Sequence, residues 1–310
     1  MSLRRIVITA TTVVLGAWPS TARAQAPATA PLVLGVPVSA RTTALGGAWV
    51  AGRDADVIFS NPAQLIGARN DFPLSMARFG PKAHGGSVAQ TYSGGKWSLT
   101  LGYGVQAVNF ATSSVTFSPY SMNHLLEGPP AGRPRVDAQT ALATVGAAVQ
   151  YKGFKIGAAG KYAADRSYIN ASTLLLDLGA SRPIFGGTAA IAFQNLGRHS
   201  LKEMPWAPLP RQIAAGWAMS KTAGPLDLSF FTQASYRTDW ASAAAGVEAG
   251  YSWIEGLSVT MRAGLRRPEV TGEVPLSLGG AFTADRLTVE YAIRMYDNSR
   301  NAHLVTIRWR

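Results

Sequence analysis

Leu287-Thr288-Val289-Glu290-Tyr291-Ala292-Ile293-Arg294-Met295-Tyr296 decides how this chain is read. Every second residue falls into one of two sets. Leu287, Val289, Tyr291, Ile293 and Met295 make the first; Thr288, Glu290, Ala292, Arg294 and Tyr296 make the other. A β-strand sends successive side chains to opposite faces, so this stretch has one apolar and one mostly polar face. The last residues repeat the pattern, with Val305, Ile307 and Trp309 against Thr306, Arg308 and Arg310. In 96–107, Trp97, Leu99, Leu101, Tyr103 and Val105 oppose Ser98, Thr100, Gly102, Gly104 and Gln106. In 257–266, Leu257, Val259, Met261 and Leu265 oppose Ser258, Thr260, Arg262, Gly264 and Arg266.

Such segments, set off by turn residues, number fourteen. They lie near 73–80, 83–93, 96–107, 138–151, 154–166, 168–183, 187–197, 211–221, 226–237, 241–253, 257–267, 274–284, 286–297 and 302–310. Most run ~9–13 residues, the length of a tilted strand that crosses a bilayer. Every second connection is tight: Ser93-Gly94-Gly95-Lys96, Lys152-Gly153, 184–187, 222–225, Glu255-Gly256 and Ala284-Asp285. The alternate ones tend to be longer and more polar, notably 108–137, 197–210 and 267–273. Short periplasmic turns and longer outside loops are the habit of outer-membrane barrels. The chain is therefore predicted to be all-β, an antiparallel transmembrane β-barrel of fourteen strands over residues 70–310. An even count places both termini in the periplasm. Aromatic residues near strand ends suggest two interfacial belts. Tyr92, Trp97, Tyr151, Phe154, Phe185, Trp253 and Trp309 would form one; Phe79, Trp206, Tyr236, Trp240 and Tyr296 the other. A soluble β-sandwich shares the alternation, but not the loop asymmetry or the belts.

The N-terminus points to the same compartment. Arg4 and Arg5 precede the apolar stretch Ile6 to Trp18, and Ala22-Arg23-Ala24 supplies an A-x-A cleavage site, so residues 1–24 read as a secretory signal peptide. The apolar run falls short of the ~20 residues that a membrane-spanning helix needs. The chain has no cysteine, which excludes disulfide staples and thiolate metal sites. Its formal charge is +12, and only Arg4, Arg5 and Arg23 would leave with the signal. The acidic partners this implies are the phosphates of outer-membrane lipids and lipopolysaccharide, or an anionic solute, rather than nucleic acid.

Residues 25–69 do not alternate. An Ala/Pro tether leads into the small-residue stretch 39–48, which holds Gly46 and Gly47. A fourteen-strand barrel leaves lumen to fill, so this segment is expected to be a hatch inside it. Asp54 and Asp56 are its acidic spot. They could coordinate a cation, receive arginines from the wall, or act as an acid–base pair; the arginines are favoured, because the lumen is basic and further oxygen ligands at metal spacing are lacking. Asn61-Pro62-Ala63 reads first as a turn. Alternation turns Lys161, Asp177, Glu248, Arg262, Glu290, Arg294 and Arg308 inward, since a charge on the lipid face costs ~2–4 kcal/mol at mid-depth. Glu290 and Arg294 stand four apart on one face, too far to pair, so each needs a partner from a neighbouring strand or the hatch.

The stretches Ala40-Arg41-Thr42-Thr43-Ala44-Leu45-Gly46-Gly47-Ala48-Trp49-Val50-Ala51, Asp54-Ala55-Asp56 and Asn61-Pro62-Ala63-Gln64-Leu65 resemble the N-terminus of the PorV/PorQ family, which belongs with the FadL-type outer-membrane transporters. Gln194-Asn195-Leu196-Gly197, followed by 209–216, is similar to that family's link between strands. Two departures stand out: Gln64 replaces the glycine of the usual NPAGL, and Arg310 follows Trp309 where an aromatic residue commonly ends the chain. The resemblance implies a fourteen-strand barrel with a hatch carrying the NPA segment. Its FadL-type branch implies passive uptake of small hydrophobic or amphipathic molecules. Its PorV branch implies the alternative, a component or cargo shuttle of type IX protein secretion that binds secreted proteins. For that role 108–137 and 197–210 offer Pro119, Tyr120, Pro129, Pro130, Pro134, Trp206, Pro208 and Pro210 as a semi-rigid surface.

Enzymatic signatures are missing from the sequence. His84, His124, His199 and His303 are isolated, and no nucleophile elbow, P-loop or H-E-x-x-H occurs. No catalytic residue, metal or cofactor is expected.

Overall fold

Period-two alternation needs a partner strand on each side, because every backbone N–H and C=O in lipid must be satisfied within the protein. The computed structural model describes residues 29, 31–94, 99–113, 125–126, 132, 135–166, 171–198, 208–270, 272–297 and 300–310. The signal peptide 1–24, Trp97, Pro119, Tyr120, Pro129, Pro130, Pro134 and Trp206 lie outside the described residues. Among those described, fourteen strands run β1 (Phe72–Phe79), β2 (Ala83–Gly94), β3 (Leu99–Ser113), β4 (Arg135–Tyr151), β5 (Phe154–Arg166), β6 (Ala171–Ile184), β7 (Gly187–Gly197), β8 (Gln212–Ala223), β9 (Leu226–Arg237), β10 (Trp240–Ile254), β11 (Leu257–Arg266), β12 (Glu273–Ala284), β13 (Leu287–Tyr296) and β14 (Ala302–Trp309). Each pairs antiparallel with its sequence neighbours. β1 closes on β14, with Phe72 opposite Trp309 and Phe79 opposite Ala302. The result is a closed antiparallel β-barrel without an edge.

Register carries the alternation around the wall. Thr288, Glu290, Ala292, Arg294 and Tyr296 are buried, whereas Leu287, Val289 and Tyr291 are exposed on the outside. Val145, Leu174 and Met261 are 68%, 72% and 71% exposed, and they belong to an apolar band that circles the barrel. A band of that extent suits lipid rather than water.

One rim carries Phe72, Trp309 and tight turns. We call it the terminal rim, and the opposite one the loop rim. Two-residue turns there need the left-handed backbone: Lys152 and Gly153 have φ of 47° and 80°, Phe185 and Gly186 of 53° and 74°. The loop rim is more uneven than its sequence suggests. Thr238-Asp239 is as tight as any turn opposite, with φ of 41° and 64°.

Two expectations change. The long connection at 108–137 is shorter, because β3 continues to Ser113 and β4 begins at Arg135; Val108 and Phe110 turn inward and hold the pairing Val108↔Thr140 and Phe110↔Ala138. Leu125 and Leu126, from the middle of that connection, are buried beside Phe79 and Phe110. The second aromatic belt also does not form as read. Phe79, Trp240 and Tyr296 are buried, at 0%, 8% and 6% exposure, and of that set Tyr236 is exposed. Nearness to a strand end says nothing about which face a side chain takes; position parity does. The first set behaves differently: Tyr92, Tyr151, Phe154, Phe185, Trp253 and Trp309 are all exposed near the terminal rim.

Candidate functional site

The N-terminal segment 31–71 packs against inward-facing side chains of the wall, descending from the loop rim towards the terminal rim. At its upper end the Val33 amide donates to Thr140 Oγ1 at 3.3 Å, and Gln106 donates to the Val36 and Pro37 carbonyls. At its lower end Lys155 Nζ donates to the Ile66 carbonyl at 2.6 Å, and Asp71 leads directly into β1. The even strand count therefore constrains Phe72 and Trp309, which share a rim, while Pro31 lies towards the other.

Local chemistry shapes the segment. Ser39 and Thr42 form a capping box that starts the short helix Ala40–Ala44. That helix ends on Gly46 and Gly47, with φ of 66° and 82°. A Cβ on Gly46 would lie 2.9 Å from the Leu265 carbonyl oxygen, so glycine there satisfies both the backbone and the close approach to β11. Further along, Asn61 accepts from the Ala63 amide at 3.1 Å, donates to the Val50 carbonyl at 2.8 Å, and places Pro62 in the first turn of Pro62–Leu65.

The segment is held in two ways. Towards β10–β14 the contact is ionic as well as steric, with Gly246, Gly264 and Gly279 against Ala44 to Gly46. Three arginines meet five carboxylates, all of them buried. Arg41 reaches Glu248 with Nε at 2.8 Å and also through Nη2, and Asp54 with Nη1 at 2.6 Å. Arg262 bridges Glu248 at 2.5 Å and Glu290 at 3.0 Å. Arg308 touches Glu290 and Asp71 at 3.0 Å each, Asp56 at 3.2 Å and Asp54 at 3.4 Å. Trp49 Nε1 donates to Asp56 at 3.1 Å, and the Arg41 guanidinium lies over the Trp49 ring.

These charges do not balance, and the acids show it. Burial would raise Asp54, but Arg308, Arg41 and Arg69 together outweigh it and hold the carboxyl well below the usual range. Burial pushes Asp56 up, with Arg308 opposing and Asp54 adding to the rise. Asp71 is raised to about 6, first by burial and then by the negative charge of Asp54. Loss of one partner from such a set costs ~3–5 kcal/mol, because a buried charge is left uncompensated.

Towards β2–β6 the contact is steric. Lumen-facing glycines let the segment's backbone touch the wall. A Cβ on Gly179 would lie 2.0 Å from Asn61 Oδ1, and one on Gly157 would lie 2.4 Å from the Pro62 carbonyl carbon. Gly102 and Gly104 leave room for Leu65 and Phe59 in the same way. Lys161 joins this side by ion-pairing with Asp177 at 2.6 Å and donating to the Phe59 carbonyl. Asp177 in turn accepts from the Asn195 amide at 2.7 Å, where β7 bulges with Asn195 at φ 59°.

A cavity of about 190 Å³ remains near the loop rim, between segment and wall. Its apolar lining includes Val33, Leu34, Val36, Trp49, Phe59 and Leu142. Its polar lining includes Gln106, Gln194, Gln212, Gln233, Lys161 and three arginines, Arg237, Arg266 and Arg294. Glu269 pairs with Arg237 at 3.0 Å, and Glu273 takes Arg266 at 2.5 Å. Burial would raise Glu269, but the arginines, Arg266 foremost, bring it down to about 2.

All seven lumen charges singled out in the sequence are buried. Glu248, Arg262, Glu290 and Arg308 meet Asp54 and Asp56 in one network; Lys161 and Asp177 form a separate pair; Arg294 belongs to the cavity. Glu290 finds its partners on β11 and β14, and Arg294 meets Glu273 on β12. Sequence reading passed over Arg41, Asp71, Arg237, Glu273 and the cavity glutamines. Parity had already put Arg266 and Gln106 on the inner face, so that signal was there to use. Among the described residues no cluster of His, Cys, Asp or Glu has the arrangement to hold a metal ion.

No known protein-family model matches the chain, and no curated protein matches it. Solved structures do. The Pseudomonas putida toluene transporter TodX superposes with a TM-score of 0.55 at 10% identity, covering 93% of this chain and 98% of that one. A second TodX structure gives 0.53 at 10% identity, over 89% and 97%. The Acinetobacter baumannii outer membrane protein Omp33 gives 0.43 at 10% identity, over 78% and 98%. At 10% identity the likeness to TodX is one of fold: the chain has the architecture of that outer-membrane barrel.

Proposed function

We propose that this chain is a passive outer-membrane conduit for small amphipathic molecules, with the N-terminal segment 31–71 as its gate. The observation that carries the reading is the cavity of about 190 Å³ at the loop rim, half walled by that segment and mixed in polarity. Below it the segment closes the lumen through glycine-cradled backbone on both sides, with charge added on one. A solute entering from the loop rim meets a site first and an obstruction second. That a barrel of similar architecture is that of the toluene transporter TodX agrees with uptake of small molecules. The secretion alternative draws no support from the described residues, since most of its loop surface lies outside them.

The test is uptake into proteoliposomes. A small probe such as benzyl alcohol should enter faster with the protein than without it, and entry should be slowed by restraining the segment. Equal rates with and without protein would end the proposal. Sidedness follows from the same reading, with the terminal rim in the periplasm. An impermeant thiol reagent on whole cells should label an Asp239→Cys variant, on the loop rim. A Gly153→Cys variant should label only after the outer membrane is opened; the reverse order would invert the reading.

A further inference from the structure

The cavity has a charge of its own. Four cationic side chains reach it, Lys161, Arg237, Arg266 and Arg294, and three carboxylates answer them. Asp177 is taken by Lys161, and Glu269 by Arg237. Glu273 is taken by Arg266, which meets its Oε1 through both Nε and Nη2 at 2.5 Å. The other Glu273 oxygen accepts the Glu269 amide at 2.8 Å. Arg294 is left with the neutral Tyr296 hydroxyl beside it and, as its counter-charge, Glu273 at 3.9 Å, beyond hydrogen-bond reach, while being only 3% exposed. A buried guanidinium with five donors and so distant a counter-charge is costly.

The surroundings suit an anion that would answer it. Gln233 commits its side-chain oxygen to the Trp49 and Val50 amides, which leaves its NH2 as the donor end. Val33, Leu34 and Phe59 give the same cavity an apolar lining. The volume is below the ~300–1,000 Å³ typical of sites for larger ligands, so one ring or a short chain fits.

We propose that this cavity binds a small organic carboxylate, with its anionic group on Arg294 and its apolar part against the N-terminal segment. The inference rests on the conduit reading for its physiological meaning, though binding itself is separable from passage. Charge-assisted pairing to a buried guanidinium is the strong form of the hydrogen bond, and it selects an anion over a neutral molecule of equal size.

The experiment is calorimetric titration of the full-length protein in detergent with benzoate and with benzyl alcohol. Benzoate should bind at least about tenfold more tightly, the scale of one charge-assisted contact. Arg294→Gln should abolish that preference, bringing benzoate down to the affinity of benzyl alcohol measured on the same variant. Arg294→Lys should keep part of it, and it serves as the folded control if the glutamine variant fails to assemble. Equal affinity for the two probes, or a preference that survives in Arg294→Gln, overturns the proposal. Liposome uptake separates the two readings. Entry of benzyl alcohol without any benzoate preference in binding leaves the conduit standing and removes the anion site. Benzoate binding that depends on Arg294, with no uptake of either probe, does the opposite.

Discussion

Both halves of the barrel wall admit the same segment through glycines, but one half adds a network of ion pairs: Gly246, Gly264 and Gly279 meet Ala44 to Gly46 on the side that carries the charges. On β10–β14, Glu248 takes the segment's Arg41, and Arg308 takes its Asp54, Asp56 and Asp71, at 2.8–3.4 Å. On β2–β6, Gly102, Gly104, Gly157 and Gly179 admit its backbone and apolar side chains to direct contact. Ion pairs are directional and depend on pH; glycine contacts depend only on shape. The ion pairs are therefore the adjustable attachment, and the glycine contacts set where the segment lies.

The strongest break should come from Arg308→Leu. It leaves Glu290, Asp71 and Asp56 facing one another without their shared cation, and ~3–5 kcal/mol of docking should be lost. Hydrogen exchange should quicken at residues 40–56, with 57–66 less affected. If both stretches loosen equally, the halves are not separate attachments.

Gly179→Ala tests the opposite half. Its methyl group would collide with Asn61 Oδ1, and overpacking of this kind costs ~1–3 kcal/mol. Exchange should now rise around Asn61-Pro62-Ala63 while the capping box at Ser39 keeps its protection. Unchanged exchange at 61–63 would mean that the glycine is not a fitted contact.

The smallest effect is that of pH, and it should appear only on the ionic side. Asp71 is raised from 3.8 to about 6, so the fold favours its protonated form. Its contribution is whole below the unfolded pKa and is lost as pH climbs to about 6. Asp54 is held low and acts in the other sense, weakening attachment only as pH falls below 3.8. Protection at 40–56 should thus be greatest near the lower end of the 3.8 to 6 window and decline across it. Asp71→Asn should flatten that decline. A profile that rises across the window would contradict the assignment.

Much of the wall was legible because alternation is local: Thr288 through Tyr296 declare their faces within ten residues. The errors at Phe79, Trp240 and Tyr296 arose where strand-end position was used in place of parity. The extension of β3 past Ala107 was hidden because Ala107 and Val108 are both apolar, which blurs the period. The site was harder to see. Arg41 and Glu248 are separated by 207 positions, and no local signal joins them. Asp54 and Asp56 announced a need for counter-charge, but the surplus at Arg294 exists only once Glu273 is known to be occupied by Arg266.

The central claim is that the segment must move for solute to pass, and a reversible tether tests it most directly. The chain has no cysteine, so Leu45→Cys with Gly246→Cys supplies a single pair. A Cβ on Gly246 would start 2.9 Å from that of Leu45, and a slight separation brings the pair to the ~3.5–4.5 Å of a disulfide. Uptake of benzyl alcohol into liposomes is then compared for one preparation, oxidised and reduced. Entry is expected when the pair is reduced and its suppression when oxidised, with oxidation leaving the barrel's resistance to detergent unfolding intact. Equal entry in both states would contradict it, since the segment would then be a fixed filling and not a gate.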